Sequence, residues 1–171
     1  DTVVVPWNMV PDLTDVAVLA VEPLPANMGL VPPSPGFLAE LRAACDGSGT
    51  MLLFDEVITG FRLARGGATA FYDVQPDVWA FGKVIGGGLP VGAYGASREV
   101  MAHVAPLGGV YQAGTLSGNP LATAAGLAQL RLLDDDAYAQ LEATATRLAN
   151  GLAGAFADAG VVATVPRVTA S

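Results

Sequence analysis

Lys83 is the only lysine among 171 residues, and it stands between the apolar run Val78-Trp79-Ala80-Phe81 and the glycines Gly86-Gly87-Gly88. An amine in an apolar setting is favoured in its neutral form, because desolvation penalises the ammonium. A neutral lysine is a nucleophile able to form a Schiff base with an aldehyde. A lysine that snorkels from a strand end is the plainer reading, and position by itself does not separate the two. Two carboxylates stand in comparable places: Glu22 after Val16 to Val21, and Asp55 after Met51-Leu52-Leu53-Phe54. Ligands of open parallel sheets gather beyond the carboxyl ends of the strands. Asp55 and Lys83 are therefore expected to share one crevice across 28 positions of sequence. A direct ion pair between them is the alternative, although a buried pair adds little net stability. The glycine run lacks the spacing of a phosphate loop or a dinucleotide fingerprint.

The elements that must hold these groups alternate. Val3-Val4-Val5 reads as a strand, and the continuous apolar run Val16 to Val21 as a strand buried on both faces. Ser34-Pro35 predicts a helix start, with Phe37, Leu38, Leu41 and Cys45 on one face and Gly47 and Gly49 as the stop. Met51 to Phe54 and Val78 to Phe81 are the next strands. Ser97 caps a short helix through His103, and Asn119-Pro120 opens a longer one with Leu121, Ala125, Ala128 and Leu132 at helical spacing. Asp134, Asp135 and Asp136 precede a helix whose Tyr138, Leu141, Ala145, Leu148, Leu152 and Phe156 form one apolar face. A further strand is expected to begin at Val168-Thr169-Ala170-Ser171. Strands alternating with helices predict an α/β domain with a largely parallel sheet.

Composition narrows the partners. The chain is 52% hydrophobic and 14% charged, against about 25% charged in ordinary domains. That shortage implies surfaces covered by another subunit or by further chain. The net charge of −8 and the scattered arginines exclude concentrated phosphate binding, so nucleic acid is a poor partner. A single cysteine, Cys45, excludes an internal disulfide, and with no signal-peptide pattern the cytoplasm is the expected location. No apolar stretch approaches the ~20 residues of a membrane helix. One histidine and one cysteine, far apart, argue against zinc.

The segments Asp55-Glu56-Val57-Ile58-Thr59-Gly60-Phe61-Arg62 and Gly82-Lys83-Val84-Ile85-Gly86-Gly87-Gly88-Leu89-Pro90-Val91-Gly92-Ala93 resemble the class III pyridoxal-phosphate aminotransferases. The block Tyr111-Gln112-Ala113-Gly114-Thr115-Leu116-Ser117-Gly118-Asn119-Pro120 is more specific, and is similar to the glutamate-1-semialdehyde 2,1-aminomutases of that family. The likeness includes Glu22-Pro23 and the Asn27-Met28-Gly29 loop and covers nearly the whole chain. It implies part of the large domain of the fold-type I pyridoxal-phosphate transferase fold over residues 1–160, with a small carboxyl-terminal domain beginning at 161–171. It also implies that the family's amino-terminal portion, with its phosphate-holding turn and ring-stacking aromatic, lies outside this sequence.

The resemblance implies roles residue by residue. Lys83 would carry pyridoxal 5'-phosphate as a Schiff base and move protons. Asp55 would bond to the pyridine nitrogen and keep it protonated, which makes the ring an electron sink. Val57 faces the same way two residues on and would pack against one ring face. Gly114 and Thr115 would lie at the cofactor, with Thr115 reaching the phosphate of the neighbouring subunit in a homodimer. Asn27 would line the substrate side. The implied reaction moves an amino group within glutamate-1-semialdehyde to give 5-aminolevulinate, a tetrapyrrole precursor. Another class III aminotransferase, acting on an ω-amino acid or a secondary metabolite, is the alternative, as is an inactive truncated piece. The residues also have plainer readings: Asp55 as a turn cap, Thr115 or Ser117 as caps of the helix after Asn119, Glu22 as a structural acceptor. His103 reads as a surface or packing residue, and Tyr111 either approaches the site or packs.

Overall fold

The computed structural model describes residues 1–27 and 29–168. Four strands form one sheet in the order β1-β2-β3-β4. β1 (Val18–Val21), β2 (Met51–Glu56) and β3 (Val78–Phe81) are parallel, and β4 (Ala93–Ala96) runs antiparallel to β3. Register places Val21 beside Phe54, Asp55 beside Ala80 and Glu56 beside Phe81. The carboxyl ends of the three parallel strands therefore lie side by side, as the alternation of elements predicts.

Helix α1 (Phe37–Ser48) joins β1 to β2, and α2 (Gly67–Tyr72) joins β2 to β3. Each crossover steps one strand in the same direction. Right-handed connections of that kind put both helices on one face of the sheet. Burial along β2 follows: Leu52, Phe54 and Glu56 are buried, whereas Met51, Leu53 and Asp55 are only partly covered. Leu52 and Phe54 pack with Phe37, Leu38, Leu41 and Cys45 of α1, and with Leu13 and Val74. Burying each large side chain there contributes about 1.5–3 kcal/mol.

Local structure departs from the sequence pattern in several places. Val3, Val4 and Val5 form no strand and are exposed, because no described strand lies beside them. The strand expected to be covered on both sides is covered on one, and Val18 is 46% exposed. Helix α1 begins at Phe37 behind a left-handed Gly36, two residues after the expected proline start, and ends at a left-handed Gly49. α3 (Arg98–Met101) is capped by Ser97, whose Oγ accepts the Val100 amide at 3.2 Å, but stops before His103. The strand expected at Val168 falls largely on residues 169–171, outside the described residues, as does Met28.

α4 (Pro120–Leu132) is capped by Asn119, whose Oδ1 accepts the Leu121 and Ala122 amides at 3.0 and 3.2 Å. Neither Thr115 nor Ser117 serves that end. The buried stripe of α4 is Ala122 and Gly126, while Leu121 and Leu132 are 73% and 70% exposed. The expected leucine face is thus the wrong one. Close approach decides it: a Cβ on Gly126 would overlap the Ile85 carbonyl, and one on Gly87 would overlap the Ala125 carbonyl. Backbones meet where the glycines are, and larger side chains are turned outward. α5 (Asp135–Asp158) is capped by Asp134 and docks through Tyr138, whose hydroxyl donates to the Phe61 carbonyl at 3.0 Å. No helix among the described residues is long and apolar enough to cross a membrane.

Candidate active site

β3 ends at Phe81, Gly82 stays extended, and Lys83 opens a single 3₁₀ turn, Lys83–Gly86. Lys83 has a φ of 45°, in the left-handed region. A non-glycine residue there is strained by about 1–2 kcal/mol, and such strain concentrates at functional positions. Gly82 lets the preceding strand pass close: a Cβ at that position would sit 3.2 Å from Val57 Cγ1. The Val57 side chain therefore lies against Gly82, the residue before Lys83. In this way the ends of β2 and β3 are brought together.

Asp55 lies on the partly covered face of β2, and its Oδ1 accepts the Val57 amide at 3.0 Å. The carboxylate is thus a turn cap, as the plainer reading has it. Its Oδ2 accepts no hydrogen bond among the described residues. Asp55 is oriented by one oxygen and keeps the other available.

The setting of Lys83 differs from the expectation. Its side chain is exposed, and none of the described residues supplies the apolar enclosure expected around it. It lines an open cavity of about 600 Å³ with Arg62, Gly87, Gly88, Leu89 and Gln129. Asp55 does not line that cavity, and no ion pair joins Asp55 to Lys83 among the described residues. The shared crevice is not closed by these elements, because both crossover helices cover the opposite face. The direct ion pair is absent as well.

The remaining candidates are dispersed. Gly114 lines a separate cavity of about 210 Å³ with Pro90, Val91, Gly92, Ser117 and Asn119. It thus stands beside the segment that follows the Lys83 turn. Thr115, Tyr111 and Asn27 are exposed and line neither cavity. Glu22 accepts no side-chain hydrogen bond among the described residues. It lines an apolar cavity of about 360 Å³ with Trp7, Val21 and Phe37. His103 is exposed in the turn after α3.

Glu56 was not singled out from the sequence. It is 1% exposed and accepts four hydrogen bonds, from Thr59 Oγ1 (3.0 Å), the Ala68 amide (2.6 Å), the Thr69 amide (3.2 Å) and Thr69 Oγ1 (3.0 Å). Trp79 Nε1 donates to the same Thr69 hydroxyl at 2.9 Å, which ties β3 into the network. Gly67, at φ 64°, leaves room that a Cβ would take from Glu56 Oε2. The staple holds the β2–α2 loop against the sheet, and with it the turn bearing Val57. Strand parity was the available signal, since Glu56 shares the side of Leu52 and Phe54.

A family model described as aminotransferase class-III matches residues 11–169. The chain belongs to the class-III aminotransferases. The glutamate-1-semialdehyde 2,1-aminomutase of Syntrophobacter fumaroxidans is 58% identical over 154 residues, 90% of this chain and 36% of that protein. The enzyme of that name from Desulfosudis oleivorans is 53% identical over 169 residues, 94% of this chain and 40% of that protein. This class-III chain thus spans about two fifths of the length of the curated relatives it matches. Among solved structures, an omega-transaminase from Sphaerobacter thermophilus aligns with a TM-score of 0.80 at 38% identity, over 86% of this chain and 34% of that one. A glutamate-1-semialdehyde aminomutase of Pseudomonas aeruginosa PAO1, in complex with PMP, aligns with a TM-score of 0.77 at 30% identity, over 91% and 37%. These neighbours carry the mostly parallel, helix-flanked sheet described above, and the fold is that of the pyridoxal-phosphate transferases of fold-type I.

Proposed function

We propose that this chain carries the lysine-bearing part of the coenzyme site of a pyridoxal-phosphate aminomutase, which converts glutamate-1-semialdehyde to 5-aminolevulinate. The observation that carries the reading is the contact of Val57 with Gly82. It sets a strained, unpaired lysine beside a turn whose aspartate keeps one oxygen free. Those residues fit the coenzyme: an amine for its aldehyde, a carboxylate for its ring nitrogen, and an apolar side chain for a face of its ring. Pyridoxal phosphate, when bound, supplies an electron-withdrawing ring that stabilises a carbanion next to nitrogen.

The chain's own groups divide the remaining work. Lys83 Nζ would hold the coenzyme covalently at rest and, once substrate displaces it, would move protons at the reacting carbons. Asp55 Oδ2 holds the proton on the ring nitrogen, its partner oxygen being fixed by the Val57 amide. Val57 shields one ring face from water. Gly114 and Thr115 belong to the phosphate end, with Thr115 serving the neighbouring subunit of a homodimer, and Asn27 lines the substrate side. Residues 1–160 belong to the large domain and 161–171 open the small one, and the enzyme works in the cytoplasm.

Borohydride reduction of the coenzyme-saturated full-length protein, followed by peptide mapping, tests the site. The coenzyme is expected on the peptide bearing Lys83, and an unmodified Lys83 peptide would sink the reading. A second substrate class has an observation in its favour, because the aligned omega-transaminase is more similar in sequence than the aligned aminomutase structure. Formation of 5-aminolevulinate with no added amino donor favours the aminomutase. Strict dependence on a donor favours the transaminase.

A further inference from the structure

The cavity that Lys83 lines contains a second cation and no acid. Its polar side chains are Arg62, Lys83 and Gln129, and the rest of its wall is Val84, Gly87, Gly88, Leu89 and Pro90. In a chain with net charge −8, two basic side chains facing one concavity without a carboxylate are a local reversal of sign. Neither takes part in an ion pair among the described residues, whereas Arg42, Arg65 and Arg167 all do.

Arg62 is also held in place. Its Nε donates to the Ile58 carbonyl at 2.9 Å, which anchors the inner edge of the guanidinium. Both Nη atoms are left without a protein acceptor among the described residues. A planar fork anchored at one edge and open at the other suits an oxyanion taken by two parallel hydrogen bonds. The β2–α2 loop that bears Arg62 is itself fixed by the buried Glu56 staple.

We propose that Arg62 is an oxyanion-binding residue that receives the carboxylate or phosphate group of the molecule handled at Lys83. The proposal rests on the reading of Lys83 as the reacting amine and assigns recognition to a residue outside the lysine-bearing turn. Two sources offer the same chemistry, a substrate carboxylate and a coenzyme phosphate, and separate probes distinguish them.

The experiment uses full-length protein freed of coenzyme, with trinitrophenylation of Lys83 by trinitrobenzenesulfonate, which releases sulfite, read by mass spectrometry of its peptide. Glutarate, a dicarboxylate with neither amine nor carbonyl, and inorganic phosphate are titrated as protectants. At least one is expected to protect Lys83, with the concentration needed rising about tenfold or more in Arg62→Gln and less in Arg62→Lys. Protection by glutarate assigns the site to a substrate carboxylate, and protection by phosphate to the coenzyme. Arg62 is exposed, so its variants should fold, and unchanged melting temperatures check this. Absence of protection by both anions, or equal protection in wild type and Arg62→Gln, overturns the proposal. The borohydride test is independent. If Lys83 retains no coenzyme while Arg62-dependent protection persists, the anion site stands and the coenzyme reading falls.

Discussion

Asp55 and Glu56 are neighbours in the chain, and their carboxylates lie on opposite faces of the sheet. Parity along β2 separates them: Glu56 shares the buried side with Leu52 and Phe54, and Asp55 shares the partly covered side with Met51 and Leu53. One acid is enclosed by four donors, and the other keeps an oxygen available. Two adjacent residues of like chemistry therefore divide into a buried staple and a turn cap with one oxygen free.

Substitution should expose that division. Glu56→Ala strands buried donors of Ala68, Thr69 and Thr59, and is expected to cost about 3–5 kcal/mol. Asp55→Asn sits on the open face and should cost less than about 1 kcal/mol, while lowering turnover of the coenzyme-loaded enzyme by about 10²-fold or more. Urea denaturation and steady-state kinetics on both variants check the pair. Equal stability losses would refute the assignment.

A pH dependence follows from Asp77, which joins β2 to α1. Its Oδ2 accepts the Leu52 amide at 2.7 Å and Arg42 Nη1 at 2.8 Å. Burial disfavours the charged carboxyl, but the Leu52 amide and Arg42 outweigh it and hold Asp77 below its ordinary value of 3.8. A carboxyl depressed on folding adds stability above its unfolded value, and loses it as pH falls through the folded value. The side chains are 19% and 40% exposed, so solvent screening limits the contribution to about 1 kcal/mol. Urea midpoints of wild type and Asp77→Asn should differ at pH 7 and converge below about pH 4. A gap that persists at low pH would contradict this.

Glycines in the two long helices should respond in opposite directions. Gly126 meets the Ile85 carbonyl, and Gly126→Ala must push α4 off the turn that begins at Lys83, at a cost of about 1–3 kcal/mol. Gly151 lies inside α5 with open space around its Cβ position. Gly151→Ala should stabilise by about 0.5–1 kcal/mol, since glycine only weakens a helix there. Thermal melts of the two variants decide the matter, and a stabilised Gly126→Ala would overturn the packing argument.

Much of the layout was legible from residue order. Hydrophobic runs ending in Glu22, Asp55 and Gly82-Lys83 mark the parallel strands, Asn119-Pro120 and Ser97 mark two helix starts, and the acidic run Asp134 to Asp136 marks a third through the helix dipole. The Phe37, Leu38, Leu41, Cys45 face was legible because one amphipathic helix packs on one sheet. The α4 face was not, because small residues fix that contact by letting backbones approach, and leucine periodicity points elsewhere. The exposure of Lys83 was not legible either. An apolar run before a residue shows where the strand lies, but the walls around its end come from other elements. The role of Glu56 is not legible from residue type, because it depends on which side of the strand the residue occupies.

The low charge content and the exposed leucines are one phenomenon, and they yield a further prediction. Leu41 is 2% exposed in the core, whereas Leu148 on the apolar face of α5 is 62% exposed. Both occupy helical positions of similar sequence character, so composition does not distinguish them. In the 171-residue chain, Leu41→Ala should cost about 2–5 kcal/mol through lost packing and a residual cavity. Leu148→Ala should change stability by no more than about 0.5 kcal/mol, because little surface leaves water there on folding. If the apolar faces are covered in a longer protein or an assembly, Leu148→Ala becomes costly in that context while Leu41→Ala changes little between the two. Denaturation curves of both variants in the 171-residue chain and the full-length protein check this. A Leu148→Ala effect equally small in both would mean that α5 presents its leucines to water in the working molecule.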